Sequence, residues 1–376
     1  MSRAELTHLM GLNRSTIAGL VGELETLGLA ERVSPAGGAR QGAGRPSAGV
    51  RIAARGPFVI AVDLGVDRAV VARVGLGGHV HRRAQAPVAS GDEAWQVGAS
   101  VASLIRTVVE DAPSTAPLVG IGISVPGLVR RTDGLIRLAP NLEWRDVSFG
   151  GIVLAALGLE VPVLLGNDAD LGAIAERTRG VCVGVDDLIY ISGNIGVGAG
   201  VITGGHRIEG VGGYAGEVGH LRFNPQGRLC HCGNRGCWET EVGAHAIAEA
   251  IRCPTDLVAQ LDEVLGGFSE PSPELRLIGT ALGHGLASIV NTFNPQVVVL
   301  GGYLQSLYPL ARAEVHAGLA DLALPAPLES VTLRLPALGS DSSLLGAAEI
   351  ALEALLVDPV SAIDTALVDV HARVSA

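Results

Sequence analysis

At 376 residues, 48% hydrophobic and only 3% aromatic, the chain is long enough for two or three lobes whose cores must be built from Ala, Val, Leu and Ile. All 27 basic residues are arginine, which excludes a lysine at any phosphate site. The formal charge of −11 is unevenly spread: residues 1–55 hold seven Arg against four Glu, leaving fourteen net negative charges on the remainder. A small basic segment on an acidic body suits a DNA-reading head on a soluble domain, although chance in a short segment gives the same count. No stretch near the start has the basic, apolar and small-residue order of a signal peptide. The run Leu277–Ala311 lacks Asp, Glu and Arg, but His284, Asn291, Asn294, Pro295 and Gln296 interrupt it. It reads as a buried helix, a turn and a buried strand rather than a membrane span, and the expected location is cytoplasmic.

In chain order, Ser2 and Glu5 stand at capping-box spacing before Leu6, Leu9 and Met10 on one helical face. Gly11 stops that helix, and Asn13 caps a second in which Ile17, Leu20, Val21, Leu24 and Leu27 recur at helical spacing. Two short helices around a Gly-containing turn predict a helix-turn-helix presenting Arg14, Ser15 and Thr16; a plain helical hairpin has the same pattern. Leu29–Val33 starts a wing strand, and Gly-rich Pro35–Gly49 makes a flexible wing and linker containing Arg40 and Arg45. A winged helix packs three helices before its wing, and this chain starts at what looks like the second. The head is therefore expected to be truncated, mobile and short of one packing partner.

From Phe58 the pattern becomes strand and helix in alternation. Val59–Gly65 is an apolar strand carrying Asp63 and Gly65 at its end, and Ala69–Val74 returns. Val119–Val125 closes on Pro126-Gly127, Val161–Leu165 on Gly166-Asn167-Asp168, and Val297–Leu300 on Gly301-Gly302; Leu188–Ser192 repeats the scheme. Helices are expected at Ala94–Asp111, Ala169–Arg179, Ala244–Arg252 and Pro273–Phe293. This is an α/β chain with polar or Gly-rich loops after its strands, so one cleft is expected to receive them. The division expected is a head at 1–50, one lobe at 57–165 and a second at 166–376 whose final helix packs back on the first.

The strongest chemical signal is His220, Cys230, Cys232 and Cys237. Cysteines spaced C-x-C-x4-C, with Gly233 and Gly236 allowing sharp turns, fold round one ion, and His220 supplies a fourth ligand. Three thiolates and one imidazole suit a closed tetrahedral Zn²⁺, hence a structural site; reduced cysteines in a loop are the plain alternative. His231 is a rival ligand expected to face outward, and Cys182 and Cys253 are expected to be inert. Five cysteines, three of them within eight residues, suit a metal site in a reducing compartment better than disulfides.

Gly216-Glu217-Val218-Gly219-His220, followed by Cys230-His231-Cys232-Gly233-Asn234-Arg235-Gly236-Cys237-Trp238-Glu239, resembles the two signature segments of the ROK family of sugar-responsive repressors and sugar kinases. The resemblance extends to Asp63-Leu64-Gly65, Pro126-Gly127, Ala139-Pro140-Asn141-Leu142, Asn167-Asp168-Ala169, Asn294-Pro295 and Gly301-Gly302. It implies an actin/hexokinase-like fold of two α/β lobes, assembled as a homodimer or homotetramer. The N-terminal segment, with Gly44-Arg45-Pro46, is similar to the winged-helix head of ROK repressors. Carried over residue by residue, the family's sugar site becomes Asn141, Asn167, Asp168, Glu217, His220 and Glu239. Such carboxylates and amides suit sugar hydroxyls, and a zinc loop holds them rigidly, with His220 using one ring nitrogen for zinc and the other for sugar. Solvated surface charge is the plain alternative for Glu217 and Glu239, and a strand-end turn for Asn167-Asp168.

A kinase of this family needs Asp168 as base and two phosphate-cradling loops. The resemblance implies that both loops are altered. The pattern D-x-G-G-T-K appears as Asp63-Leu64-Gly65-Val66-Asp67-Arg68, where Val66 obstructs the backbone and Asp67 replaces a hydroxyl donor. Two like charges about 4 Å apart repel by about 1–4 kcal/mol, so Asp67 disfavours a phosphate. In the second loop, Asn194-Ile195-Gly196-Val197-Gly198-Ala199-Gly200, Ile195 removes a Thr hydroxyl while Gly196 and Gly198 remain. A surviving sugar half and a damaged phosphate half favour a regulator with a sugar effector and operator DNA; the alternative is an ATP-dependent sugar kinase.

Overall fold

The structure, a computed structural model, describes residues 1–33, 49–366, 368 and 370–374; Arg40, Arg45 and the Gly44-Arg45-Pro46 segment lie outside the described residues. The head begins with α1 (Arg3–Met10), where the Ser2 hydroxyl accepts from the Glu5 N–H at 3.2 Å and the Glu5 carboxylate accepts from the Ser2 N–H at 2.6 Å. Gly11, at φ 65°, ends it. Asn13 caps α2 (Arg14–Thr26), accepting from the Thr16 N–H at 2.8 Å. Strand β1 (Ala30–Val33) then pairs antiparallel with β2 (Gly49–Ile52), so the expected linker gives way to a ladder strand at Gly49. Ile17 and Val21 are buried, while Leu9, Met10, Leu20 and Leu24 stay exposed. Leu27 and Leu29 seat the head on the body, packing with Val59, Ala72 and Val74.

The body continues with β3 (Phe58–Leu64), β4 (Arg68–Gly75), β5 (Val80–Pro87), α3 (Ala94–Val109) and β6 (Leu118–Val125). A small sheet of β7 (Leu128–Val129), β8 (Ile136–Ala139) and β9 (Trp144–Val147) precedes α4 (Phe149–Leu157), β10 (Val163–Asn167) and α5 (Asp168–Thr178). Next come β11 (Leu188–Gly193), β12 (Val197–Thr203), β13 (His206–Arg207), α6 (Glu239–Val242), α7 (Ala244–Ala250) and α8 (Leu261–Gly266). The described body closes with α9 (Pro273–Phe293), β14 (Val297–Gly302), α10 (Leu304–Leu310), α11 (Arg312–Leu322), α12 (Pro325–Ser330), β15 (Thr332–Arg334), α13 (Ser342–Val357) and short terminal turns.

Two five-stranded sheets result, ordered β10-β6-β3-β4-β5 and β13-β12-β11-β14-β15. Each is built by one rule: three antiparallel strands in sequence, then two more parallel to the first on its other side. The lobes therefore share a topology despite different loops. Strands β3 and β6 are apolar along their length because both faces are covered. Ile60 and Val62 face α3, and Val59 and Ala61 face α13. In the second sheet Ile189 and Ile191 pack toward α9, and Leu188 and Tyr190 toward α5. Helix α5 lies on β11 and β12, α13 lies on β3 and β6, and the two helices pack on each other.

The expected helix over Pro273–Phe293 forms at those bounds, capped by Ser272 and ended by Asn294 at φ 48°. Other bounds move. Helix α3 stops at Val109, α7 at Ala250, and α5 starts one residue early, at Asp168. Strand β10 starts at Val163 rather than Val161: Pro162 has no N–H to donate, and its carbonyl accepts from the Ile121 N–H at 2.9 Å. Among the described residues no helix is long and apolar enough to cross a membrane.

Candidate functional site

The parallel strands β3, β6, β10 and β11 end at one cleft, as open α/β sheets arrange their ligand sites, whereas Gly301-Gly302 after β14 does not line it. A cavity of about 600 Å³ lies there, and Asn141, Asn167, Asp168, Glu217, His220 and Glu239 all line it. Asp168 opens α5 and is buried; its Oδ2 accepts from Asn194 Nδ2 at 2.6 Å and from the Ser192 hydroxyl at 3.4 Å. Burial raises its pKa, with the Asn194 hydrogen bond opposing. Asn194 and Ser192 carry no sequence signal of this role; they reach Asp168 because α5, which Asp168 opens, packs on β11.

Asn167 is partly committed elsewhere. Its Oδ1 accepts from the Ala169 N–H at 2.9 Å, capping α5, and its Nδ2 donates to the Gly127 carbonyl at 3.0 Å. Oδ1 also accepts from the Asp170 N–H at 3.4 Å, so one Nδ2 N–H remains for a ligand. Glu239, first residue of α6, accepts from the Val197 N–H at 3.0 Å through Oε2. That carboxylate lies over Gly196, where an added Cβ would stand 2.2 Å from Oε2. The pKa of Glu217 is raised by burial, with His220 opposing and Asp168 and Glu239 adding to the rise.

The ligand atoms of His220, Cys230, Cys232 and Cys237 lie within 4.8 Å of one another. Cys232 Sγ and Cys237 Sγ are 3.6 Å apart, and Cys230 Sγ is 3.7 Å from His220 Nδ1. A tetrahedral ion with bonds near 2.3 Å to sulfur and 2.0 Å to nitrogen separates two sulfurs by about 3.8 Å and sulfur from nitrogen by about 3.5 Å. Two of the donor pairs already stand at about that spacing, and the whole set lies close enough to gather round such an ion. Gly233 (φ 89°) and Gly236 (φ 73°) let the loop turn, and the Cys230 N–H closes it on the Asn234 carbonyl at 2.8 Å. Burial pushes the Cys230 thiol up to about 12 and raises Cys237. For Cys232 burial is outweighed by the Asn234 N–H and the facing thiols, so its pKa falls. His231 is outside the cluster; it lines the cavity and meets His245 edge-to-face at 6.0 Å. Cys182 is buried, which lifts its thiol to about 11.

His220 Nε2 points the other way, 3.8 Å from Glu217 Oε2, so one imidazole joins the sulfur cluster to the carboxylates. Trp238, between the last cysteine and Glu239, is buried and donates to the Ala281 carbonyl on α9 at 3.0 Å. It anchors both neighbours to the core.

On the other side of the cleft, Val66 lines the cavity in the turn after β3. The Gly65 N–H donates to the Arg68 carbonyl at 2.8 Å, and the Asp67 carboxylate stands 3.6 Å from the Arg68 guanidinium. Burial raises the Asp63 carboxyl to about 6. The second Gly-rich segment is a hairpin rather than a long loop. Gly196 sits in its turn, and Gly198 and Gly200 lie within β12. A Cβ at Gly200 would stand 2.3 Å from the Ala169 carbonyl, so this glycine lets α5 pack on the strand.

In the head, Arg14, Ser15 and Thr16 are exposed at the N-terminal end of α2. The Ser15 and Thr16 hydroxyls donate to Asn13 Oδ1 at 2.6 and 3.0 Å, so the cap engages both.

A family model described as the ROK family matches residues 59–354. The xylose repressor of Bacillus spizizenii is 29% identical over 366 residues, covering 95% of this chain and 92% of that protein. The glucokinase of Halalkalibacterium halodurans is 27% identical over 309 residues, covering 77% of this chain and 93% of that enzyme. A crystal structure of a ROK family transcriptional regulator, a homologue of the E. coli MLC protein, aligns at TM-score 0.74 and 25% identity, covering 100% of this chain and 94% of its own. Two lobes of actin/hexokinase type, matched along both sheets and the cleft between them, show that this chain belongs to the ROK family.

Proposed function

We propose that the chain is a sugar-responsive DNA-binding transcriptional regulator, a cytoplasmic repressor whose body binds a sugar effector beside a structural zinc. The observation that carries this reading is coverage: the kinase relative accounts for the share of the chain a body needs, whereas the regulator structure accounts for all of it, head included. The Val66 side chain at the mouth of the phosphate side supports it.

His220, Cys230, Cys232 and Cys237 would hold the zinc, which would supply a rigid crosslink with every position filled by protein. Glu217 and Glu239, fixed by that loop, accept hydrogen bonds from sugar hydroxyls, as does Asp168 in the grip of Asn194 and Ser192. Asn141 contributes from the opposite side of the cleft. A ligand held from both sides favours one arrangement of the lobes, and the head seated on the first sheet follows it. Assembly as a homodimer or homotetramer presents two heads to two operator half-sites, with Arg14, Ser15 and Thr16 toward the DNA.

Thermal-shift screening against hexoses, pentoses and N-acetyl sugars tests the effector site, because selective binding raises the melting temperature. Anisotropy of operator fragments with and without the selected sugar tests the coupling. A flat screen sinks the sensor reading. The intact, buried Asp168 favours a second reading, an ATP-dependent sugar kinase with Asp168 as base. Sugar-dependent ADP production by the pure protein at ordinary turnover puts that reading in first place.

A further inference from the structure

A second cavity, of about 480 Å³, opens where the head joins the body. Its walls include the turn Ala54-Arg55-Gly56, Arg73 of β4, and His79 and His81 at the start of β5. We propose that this cavity binds a small oxyanion, a phosphoryl or carboxylate group of a metabolite, and that occupancy fixes the head on the body.

Arg73 carries the argument. It is only 6% exposed, and its Nε and Nη1 are buried with no hydrogen-bond partner. Nη2 donates to Asp111 at 3.0 Å, and the guanidinium lies over the Phe58 ring, 5.8 Å from its centroid. A guanidinium cannot shed its charge to relieve burial, so unfilled donors remain a standing demand for acceptors. An oxyanion in the adjoining cavity is the kind of acceptor such a guanidinium binds. Asp111 does not neutralise the site by itself: its side chain is 60% exposed, and the same oxygen lies 3.4 Å from Arg82 Nη1.

The other groups point the same way. Arg55, exposed on the turn, adds a second guanidinium, and His79 and His81 meet edge-to-face at 4.9 Å and offer ring N–H donors. Converging cations and donors around one shared carboxylate suit an anion and disfavour a metal ion. The volume falls in the range of small-metabolite pockets and exceeds what inorganic phosphate alone needs.

The location gives the site a consequence. Residues 54–56 follow β2 directly. The Ala53 N–H donates to the Leu29 carbonyl just beyond α2 at 3.0 Å, and the Gly56 N–H donates to the Ala53 carbonyl at 3.2 Å. An anion shared by Arg55 and Arg73 ties the turn that carries the head to a strand of the first sheet. This inference depends on neither the sugar site nor DNA recognition.

The test is calorimetric titration of the full chain with inorganic phosphate and, separately, citrate, followed by backbone hydrogen exchange over residues 53–58. One saturable site per chain is expected, weakened at least tenfold in Arg55→Ala/His79→Ala, whose side chains are exposed and whose removal leaves the core intact. Exchange over 53–58 should slow severalfold when the site fills. Arg73→Gln should abolish binding, and the double variant decides the matter if that protein does not fold. No saturable binding of either probe at millimolar concentration, or binding untouched by the double variant, overturns the site. Unchanged exchange on saturation overturns its hold on the head.

Discussion

Gly196→Ala separates the carboxylate proposed to face the sugar from the fold that carries it. The backbone φ at this position lies outside the left-handed region, so alanine is conformationally acceptable there, yet its Cβ would stand 2.2 Å from Glu239 Oε2. Relief requires the carboxylate to retreat by about 1 Å or more, since carbon and oxygen settle near van der Waals contact. The obstructing atom is the far end of a flexible side chain, so the movement is available. It breaks the 3.0 Å hydrogen bond from the Val197 N–H and withdraws a carboxylate acceptor from the proposed sugar site. A hydrogen bond to a charged group contributes about 1.5–3 kcal/mol, which is about 10- to 150-fold in Kd. Val197 lines the cavity, so water can replace the lost acceptor and the stability cost should stay below about 1 kcal/mol. The assay is calorimetry with the sugar selected by thermal shift, alongside a melt and a metal determination on the same sample. Affinity within twofold of the parent, with an unchanged melt, would refute the placement of Glu239 at the sugar.

Three further outcomes are expected. Cys232→Ser should lose the metal and, because the same loop positions Glu217 and Glu239, weaken sugar binding about tenfold or more; one zinc per chain by elemental analysis of that variant contradicts the ligand set. Burial raises Asp170 to about 7 and Asp63 to about 6. The folded chain therefore holds protons that the unfolded chain has released above about pH 4, and stability falls as pH rises from about 4 to about 7. Asp170→Asn should flatten the melting temperature between about pH 5 and pH 8 relative to the parent; His81 and His316, lowered by burial, act with opposite sign in both proteins and cancel from the comparison. An unchanged slope refutes this account of Asp170. At Gly346 a Cβ would stand 2.0 Å from the Leu171 carbonyl oxygen, backbone against backbone, so Gly346→Ala should cost about 1–3 kcal/mol despite alanine's better helix propensity. A urea midpoint equal to the parent's means the helices are not in that contact.

What could be read from the residues alone depended on whether the signal was local. The helix over Pro273–Phe293 carries its own cap and stop in Ser272 and Asn294, and its bounds emerged intact. The cysteine spacing likewise encloses most of the donor cluster that could hold a metal within one loop. By contrast β5 passed unnoticed because it is an edge strand, alternating half-buried and exposed residues with Arg82 and Arg83 in the middle. Glycine content in the segment 194–200 did not separate the two causes it has in the fold: Gly196 and Gly198 line the cleft, and Gly200 lets α5 pack on β12. Asn194 and Ser192 were invisible as partners of Asp168 since only the pairing of sheets and loops brings residues 26 and 24 positions apart into contact.

The crossing of α5 and α13 works like the pin of a pair of scissors. The chain passes between the two sheets where β10 gives way to α5, and again where β15 is followed by α13. At the cleft end the Ser343 hydroxyl donates to the Asp168 carbonyl at 3.3 Å, and nearby Gly346 lets the helices close on Leu171. From there α13, about 24 Å long, runs along the first sheet until Leu352 and Leu355 share a core with Leu29 at the base of the head. A small turn at the pin is thus a larger sweep at the far end of a stiff rod. For the regulator proposed above, transmission from cleft to head would need no chain of switching side chains, only a helix that does not bend.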